Sequence, residues 1–163
     1  MIIVRKARVK DIDLILKFEK KLYDSAVDIM KNFSPQHMSD IALKSDYNEI
    51  LFKYIKSLIY SKNGAIFISE FNRKPVGHMI ISIKKSHPIF NMKYYGRINT
   101  VYINQESRGI GISTKLKNEA FKWFKSKKIN RVSLNVFPDN KVAINAYQKW
   151  GLTLSLLEMR VTI

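Results

Sequence analysis

The chain has 163 residues, of which 46% are apolar and 12% aromatic, with no cysteine and a net charge of +16. Length and apolar content predict a single domain over residues 1–163 with a sizeable core, and they exclude wholesale disorder. The lack of cysteine excludes disulfides, thiolate metal ligands and a cysteine nucleophile.

No apolar run approaches the ~20 residues that a bilayer span requires. Met1 and three further apolar residues at the N-terminus give way to charges, which does not suit a secretory signal, so the expected location is cytoplasmic with no membrane partner. The positive charge suits nucleic acid, an acidic membrane or an anionic small ligand. Lysines are spread along the whole sequence, with no basic run of five and no RNA-recognition or zinc-finger signature. That dispersal reads as a solvated surface rather than a specific nucleic-acid site.

In chain order, residues 1–8 form an opening strand rich in β-branched side chains. Residues 9–27 carry a helical period, with Ile12, Ile15, Leu16, Glu19, Leu22 and Tyr23 near i, i+3, i+4 spacing and Asp11 as the expected cap. Residues 32–40 are loop-like. A second helix is expected over 42–64, with Ile50, Leu51, Tyr54, Ile55, Leu58 and Ile59 on one side and Gly64 as its stop.

Residues 65–71 and 75–85 read as a hairpin around Asn72-Arg73-Lys74-Pro75. Residues 86–96 are irregular, and 97–104 form another strand. An amphipathic helix runs to residue 127, with Leu116, Ala120, Phe121 and Phe124 inward and lysines outward. Residues 131–137 form a strand with Val132, Leu134 and Val136 on one face. A short helix ended by Gly151 follows, and residues 152–163 are expected as one or two closing strands. A tight turn makes the early strands antiparallel, and intervening helices make part of the sheet parallel. The fold class is therefore α/β, a central mixed sheet flanked by helices.

The segment from Arg108 to Thr114 (Arg-Gly-Ile-Gly-Ile-Ser-Thr) joins a strand to a helix. It lacks the third glycine and downstream acid of a dinucleotide fingerprint, and the Gly-Lys-Ser/Thr of a Walker loop. A compact nest of backbone N–H groups at a helix start, with Arg108 beside it, suits a pyrophosphate. Downstream, Asn140, Ala143, Ile144 and Tyr147 share one helical stripe, with Asn140 and Tyr147 two turns, about 10 Å, apart. A ligand along that stripe would meet an amide and a phenol. The spacing alone favours the plainer reading, a helix cap at Asn140 and a core aromatic at Tyr147.

Together these segments resemble the GCN5-related N-acetyltransferase superfamily. Its cofactor loop, Gln/Arg-x-x-Gly-x-Gly/Ala, matches Arg108, Gly111 and Ser113, after a strand containing Val101, Tyr102 and Ile103. Its second motif, Asn-x-x-Ala-x-x-x-Tyr-x-x-x-Gly-Phe, matches Asn140, Ala143, Tyr147, Gly151 and Leu152. Ser113 and Leu152 depart from the pattern, the first keeping a small side chain and adding a hydroxyl, the second being a packing exchange. The element order also agrees over the whole chain.

The resemblance implies an acyl-CoA N-acyltransferase fold, acetyl-CoA as donor, a primary amine as acceptor and no metal. It implies that backbone around Arg108, Gly109, Ile110, Gly111, Ile112, Ser113 and Thr114 wraps the pyrophosphate. Val101, Tyr102 and Ile103 would pair with the pantetheine arm through their backbone, and Asn140 would hold that arm through its amide. Tyr147 matches the family tyrosine that protonates the leaving thiolate.

The sequence does not single out a base. Glu70, His78 and ordered water remain open, and Glu70 and His78 also read as structural residues. Glu19 and Tyr23 are expected to line the acceptor pocket, and Glu106 and His87 to be solvated. The acceptor, a protein N-terminus, a lysine or a small amine, is not readable, and homodimerisation is left open. Two other readings stand beside transfer: a non-catalytic acyl-CoA sensor on the same fold, and a basic nucleic-acid-binding module.

Overall fold

A computed structural model describes residues 1–162. Among them, one sheet runs in the order β1 (Ile2–Lys6), β2 (Gly64–Phe71), β3 (Lys74–Lys85), β4 (Tyr94–Ile103) and β5 (Val132–Ser133). The first three pairings are antiparallel and β4–β5 is parallel, the mixed sheet expected from the connections. The β2–β3 turn uses Asn72 and Arg73, both at positive φ (50° and 65°). Such a two-residue turn matches the twist of the strands it joins.

Helices α1 (Ile12–Phe33) and α2 (Tyr47–Tyr60) cover one sheet face, and α3 (Ile112–Ser126) covers the other. On the first face Ile12, Ile15, Ile55 and Leu58 close over Ile66, Ile68 and Ile80. On the second, Leu116, Ala120 and Phe124 pack on Phe67, Met79, Ile81 and Ile98. β2 and β3 are buried on both faces, which explains why their sequences run apolar without strict alternation. A fourth helix, α4 (Lys141–Lys149), has no fully buried residue.

Several sequence-based expectations are corrected. Gly64 does not stop α2; the helix ends at Tyr60 and Gly64 opens β2. A Cβ there would stand 2.5 Å from Leu58 Cδ2, so the glycine permits close packing of α2 on the hairpin. Helix α1 runs two turns beyond Val27, and α2 begins only at Tyr47. Within α2, Ile50 and Tyr54 are exposed while Ile55 and Leu58 are buried, so the inward stripe is narrower than expected.

β4 starts at Tyr94 because Tyr94 and Tyr95 already pair with Lys85 and Lys84. β5 keeps only two of the seven expected residues, and residues 152–162 form no strand. Leu154, Leu156, Leu157, Met159 and Val161 are all exposed there. Alternation marks which face a strand would bury; it does not supply a partner strand.

Asp11 occupies the N-cap position of α1 but makes no capping bond to it. Its carboxylate accepts instead from Arg8 N–H at 2.7 Å and from both terminal nitrogens of Arg5, at 2.8 and 2.9 Å. The Nε of Arg5 donates to Glu70 at 2.7 Å, so this cluster ties β1 and β2 to the start of α1.

Candidate active site

The parallel pairing of β4 with β5 lasts two residues, Gly96↔Val132 and Arg97↔Ser133. From Ile98 to Ile103 the β5 side of β4 therefore has no strand partner among the described residues. An unpaired strand edge is a template for any extended chain with amide groups. Val101, Tyr102 and Ile103 lie on this stretch, as expected from the sequence. Tyr102 is the buried one, and its hydroxyl donates to Asn104 Oδ1 at 3.1 Å.

The glycine loop follows. Gly109 and Gly111 have φ of 81° and 88°, the left-handed region that glycine adopts without steric cost. A Cβ built on either would meet nothing within 4 Å, so the backbone there is open to an approaching group. Gly111 is the N-cap of α3, and no side chain caps the helix. The first intrahelical bond is Lys115 N–H to Gly111 O, which leaves the N–H groups of Ile112, Ser113 and Thr114 without a backbone acceptor. Uncapped amides and the positive end of a helix dipole suit an anion. Arg108 sits closer to the protein than expected: its Nε donates to Ile103 O at 3.2 Å, tying the loop to the end of β4.

Asn140 caps α4, its Oδ1 accepting from Ala143 N–H at 3.1 Å. Its Nδ2 makes no hydrogen bond within the described chain. Asn140, Ala143, Ile144 and Tyr147 form the half-buried side of α4, while Lys141, Val142, Asn145, Gln148 and Lys149 are exposed. Tyr147 packs against Trp150, with ring centroids 5.0 Å apart, and burial raises its phenol above the ordinary value near 10. No hydrogen bond joins α4 to β4 among the described residues.

On the α1–α2 face, β4 carries a bulge. Ile80 pairs with Thr100 and Ile81 with Ile98, so Asn99 is the extra residue. A bulge re-aims side chains. Here Asn99 and Thr100, although consecutive, both face α1 and α2. Asn99 accepts from Ser82 Oγ at 2.8 Å and donates to Tyr54 Oη at 3.3 Å. Thr100 Oγ1 donates to Glu19 Oε1 at 2.8 Å. The same oxygen lies 2.6 Å from Nε2 of His78, which is fully buried and stacked on Phe18.

This pairing was not visible in the sequence, because Glu19 and His78 are 59 residues apart. Singly they were legible, Glu19 as a residue expected at the acceptor pocket and His78 as one of the open bases, but nothing in the sequence joined them. Of the residues left open as bases, Glu70 is bound to Arg5, whereas His78 stands beside β4. Glu19 and Tyr23 are half-buried on α1. No group of three metal-ligating side chains occurs among the described residues.

An open groove of about 550 Å³ lies elsewhere, between the edge strand β1 and α3, lined by Ile2, Val4, Phe121 and several α3 lysines.

The model of the acetyltransferase (GNAT) family matches residues 21–152, and the chain belongs to that family. An uncharacterized N-acetyltransferase of Methanocaldococcus jannaschii is 31% identical over 98 residues, 60% of this chain and 43% of that protein. The match thus spans less than half of that relative. A predicted acetyltransferase from Clostridium acetobutylicum, solved with acetyl-CoA, is 23% identical with a TM-score of 0.76, covering 98% of this chain and 96% of the other. An aminoglycoside N-acetyltransferase, AAC(6')-Iy, solved with CoA, is 11% identical with a TM-score of 0.78, covering 100% and 95%. At these identities the two structures establish the fold. No helix among the described residues is long and apolar enough to cross a membrane.

Proposed function

We propose that the protein transfers the acetyl group of acetyl-CoA directly to a primary amine. The observation that carries this reading is the parting of β4 from β5 beside the uncapped start of α3. An unpaired strand edge and an open amide cradle thus adjoin in a chain of the acetyltransferase family. The residues fit the cofactor by a structural criterion: the two loop glycines hold left-handed backbone, and the space where their Cβ atoms would stand is open.

Backbone N–H groups of Ile112, Ser113 and Thr114 receive the pyrophosphate, with Gly109, Ile110 and Gly111 shaping the approach and Arg108 adding charge. The backbone of Val101, Tyr102 and Ile103 pairs with the pantetheine arm, and the free Nδ2 of Asn140 donates to it. Bound acetyl-CoA supplies an activated thioester. Backbone donors on the unpaired β4 edge stabilise negative charge developing on the carbonyl oxygen. The acceptor ammonium loses one proton to water and its freed lone pair attacks the carbonyl carbon. As the C–S bond breaks, Tyr147, held protonated at neutral pH, donates a proton to the leaving sulfur and regains one through water from the new amide nitrogen. A phenol with pKa above about 10 gives its proton to a thiolate of pKa about 8.5 against a small gradient, so orientation matters more than acidity.

Thiol release from acetyl-CoA, followed with a panel of peptide and small-molecule amines, tests the reading. Amine-dependent turnover is expected, and Tyr147→Phe should lower kcat by about 10²–10⁴ while leaving the acetyl-CoA Kd unchanged. Binding of acetyl-CoA with no turnover of any amine would favour the sensor reading instead. Wild-type kcat in Tyr147→Phe would remove Tyr147 from the mechanism.

A further inference from the structure

We infer that Glu19 is the group that holds the acceptor amine, as its ammonium, against the bulge of β4. This deepens the transfer reading above and rests on it.

Four carboxylates in the described chain are not fully exposed: Asp11, Glu19, Glu70 and Glu119. Asp11 and Glu70 are bound to Arg5, and Glu119 to Lys122. Glu19 has no lysine or arginine partner, although the chain carries 29 such residues. Its neighbour on α1, Lys20, is paired with Asp24. A mostly withdrawn carboxylate without a cation is costly unless something else satisfies it.

Two donors do so, and both act on one oxygen. Thr100 Oγ1 and His78 Nε2 lie 2.8 and 2.6 Å from Oε1. The carboxylate oxygen accepts, so a His78 proton sits on Nε2, and Nδ1 is buried without a partner among the described residues. The other oxygen, Oε2, has no hydrogen-bond partner among the described residues, and the Glu19 side chain keeps 13% of its surface exposed. The carboxylate is thus clamped by one oxygen and presents the second.

It presents it at the right place. Thr100 lies on the β4 stretch that lacks a strand partner, so Glu19 is one hydrogen bond from the strand along which the acyl donor is assigned. Tyr47 and Tyr54 of α2 flank the same space; burial and, after it, the Glu19 charge raise both phenols, so both stay neutral there. A withdrawn carboxylate among neutral phenols, with no lysine or arginine partner, favours a cationic amine. His78 and Thr100 are positioning residues: they fix the carboxylate and do not touch the acceptor.

The test is steady-state acetylation of three probe amines, benzylamine, cadaverine and a glycine-initiated peptide, by the full chain. Glu19→Gln preserves shape and can still accept from Thr100. It should lower kcat/KM for the best probe by about 30-fold or more, chiefly through KM, with the acetyl-CoA Kd within about twofold of wild type. Thr100→Val, which removes one clamp, should move KM in the same direction by a smaller factor. Asp28→Asn, on the same helix, exposed and with no side-chain partner among the described residues, should change neither constant. Glu19→Gln with kcat/KM within about twofold of wild type would overturn the inference and leave the transfer reading intact. Wild-type protein that binds acetyl-CoA yet acetylates none of the probes would remove the transfer reading, and this inference with it.

Discussion

Gly111 and Gly109 carry the most specific residue-level information in the chain. Both hold φ above 80°, and neither has an atom within 4 Å of the place a Cβ would occupy. Substitution there incurs strain without a steric clash inside the protein. Gly151 has the same character, with φ of 92° and open space around it, and it lies at the end of α4. Gly111→Ala and Gly151→Ala should therefore each destabilise the fold by a similar amount, about 1–2 kcal/mol, measured by denaturant unfolding. Only Gly111→Ala should also weaken acetyl-CoA, by about tenfold or more in calorimetry, since it alone obstructs the amide cradle. Equal cofactor affinity in the two variants would mean that the loop is a turn and nothing further. The loop was legible in the sequence because left-handed glycines before a helix leave a local signature. The clamp on Glu19 was not, because hydrogen bonds between distant residues leave none.

At the scale of elements, periodicity predicted much of what α1 and α3 bury, overreached in α2, and failed where pairing decides. Ile12 and Ile15 of α1, and Leu116, Ala120 and Phe124 of α3, are buried as their spacing required. The alternation of Val132, Leu134 and Val136 gave a seven-residue strand, yet the pairing stops at Ser133. Val132 and Leu134 still pack on the α3-side core, so their apolar face is satisfied without a ladder. The shortness of β5 is what opens the edge of β4, so the element least legible in the sequence shapes the candidate site.

The junction of β1, β2 and α1 makes a separate prediction. Arg5 holds the Asp11 carboxyl below the ordinary carboxylate range, chiefly by side-chain hydrogen bonding and against the opposing effect of burial. A depressed carboxylate contributes stability that is present above its unfolded pKa, near 3.9, and is lost as pH falls through the folded value. Asp11→Ala should cost about 1–3 kcal/mol at pH 7, and that difference should shrink progressively below about pH 4. Urea unfolding at the two pH values measures it; a difference independent of pH would assign the cost to packing alone.

At the scale of the whole molecule, the +16 charge surrounds one withdrawn carboxylate, Glu19, that has no lysine or arginine partner. A basic exterior draws an anionic cofactor, and the screening length of about 8 Å at physiological salt confines that pull to short range. The mixed sheet separates two chemistries: the amide cradle of α3 follows β4 at one end, and the Glu19 cluster stands on the bulged face. Composition announced the charge, and two short motifs announced the family. Neither indicated that β4 would be left half unpaired, since that depends on where β5 turns away.

The central claim is that acetyl-CoA occupies the β4 edge and the loop before α3. Backbone hydrogen exchange, followed by mass spectrometry with and without saturating acetyl-CoA, tests it directly. Amides of residues 99–103 and 109–115 should slow markedly on binding, while those along β1 and the outer face of α3 stay unchanged. Protection confined to the β1–α3 groove, with residues 99–103 and 109–115 unaffected by bound cofactor, would contradict the account.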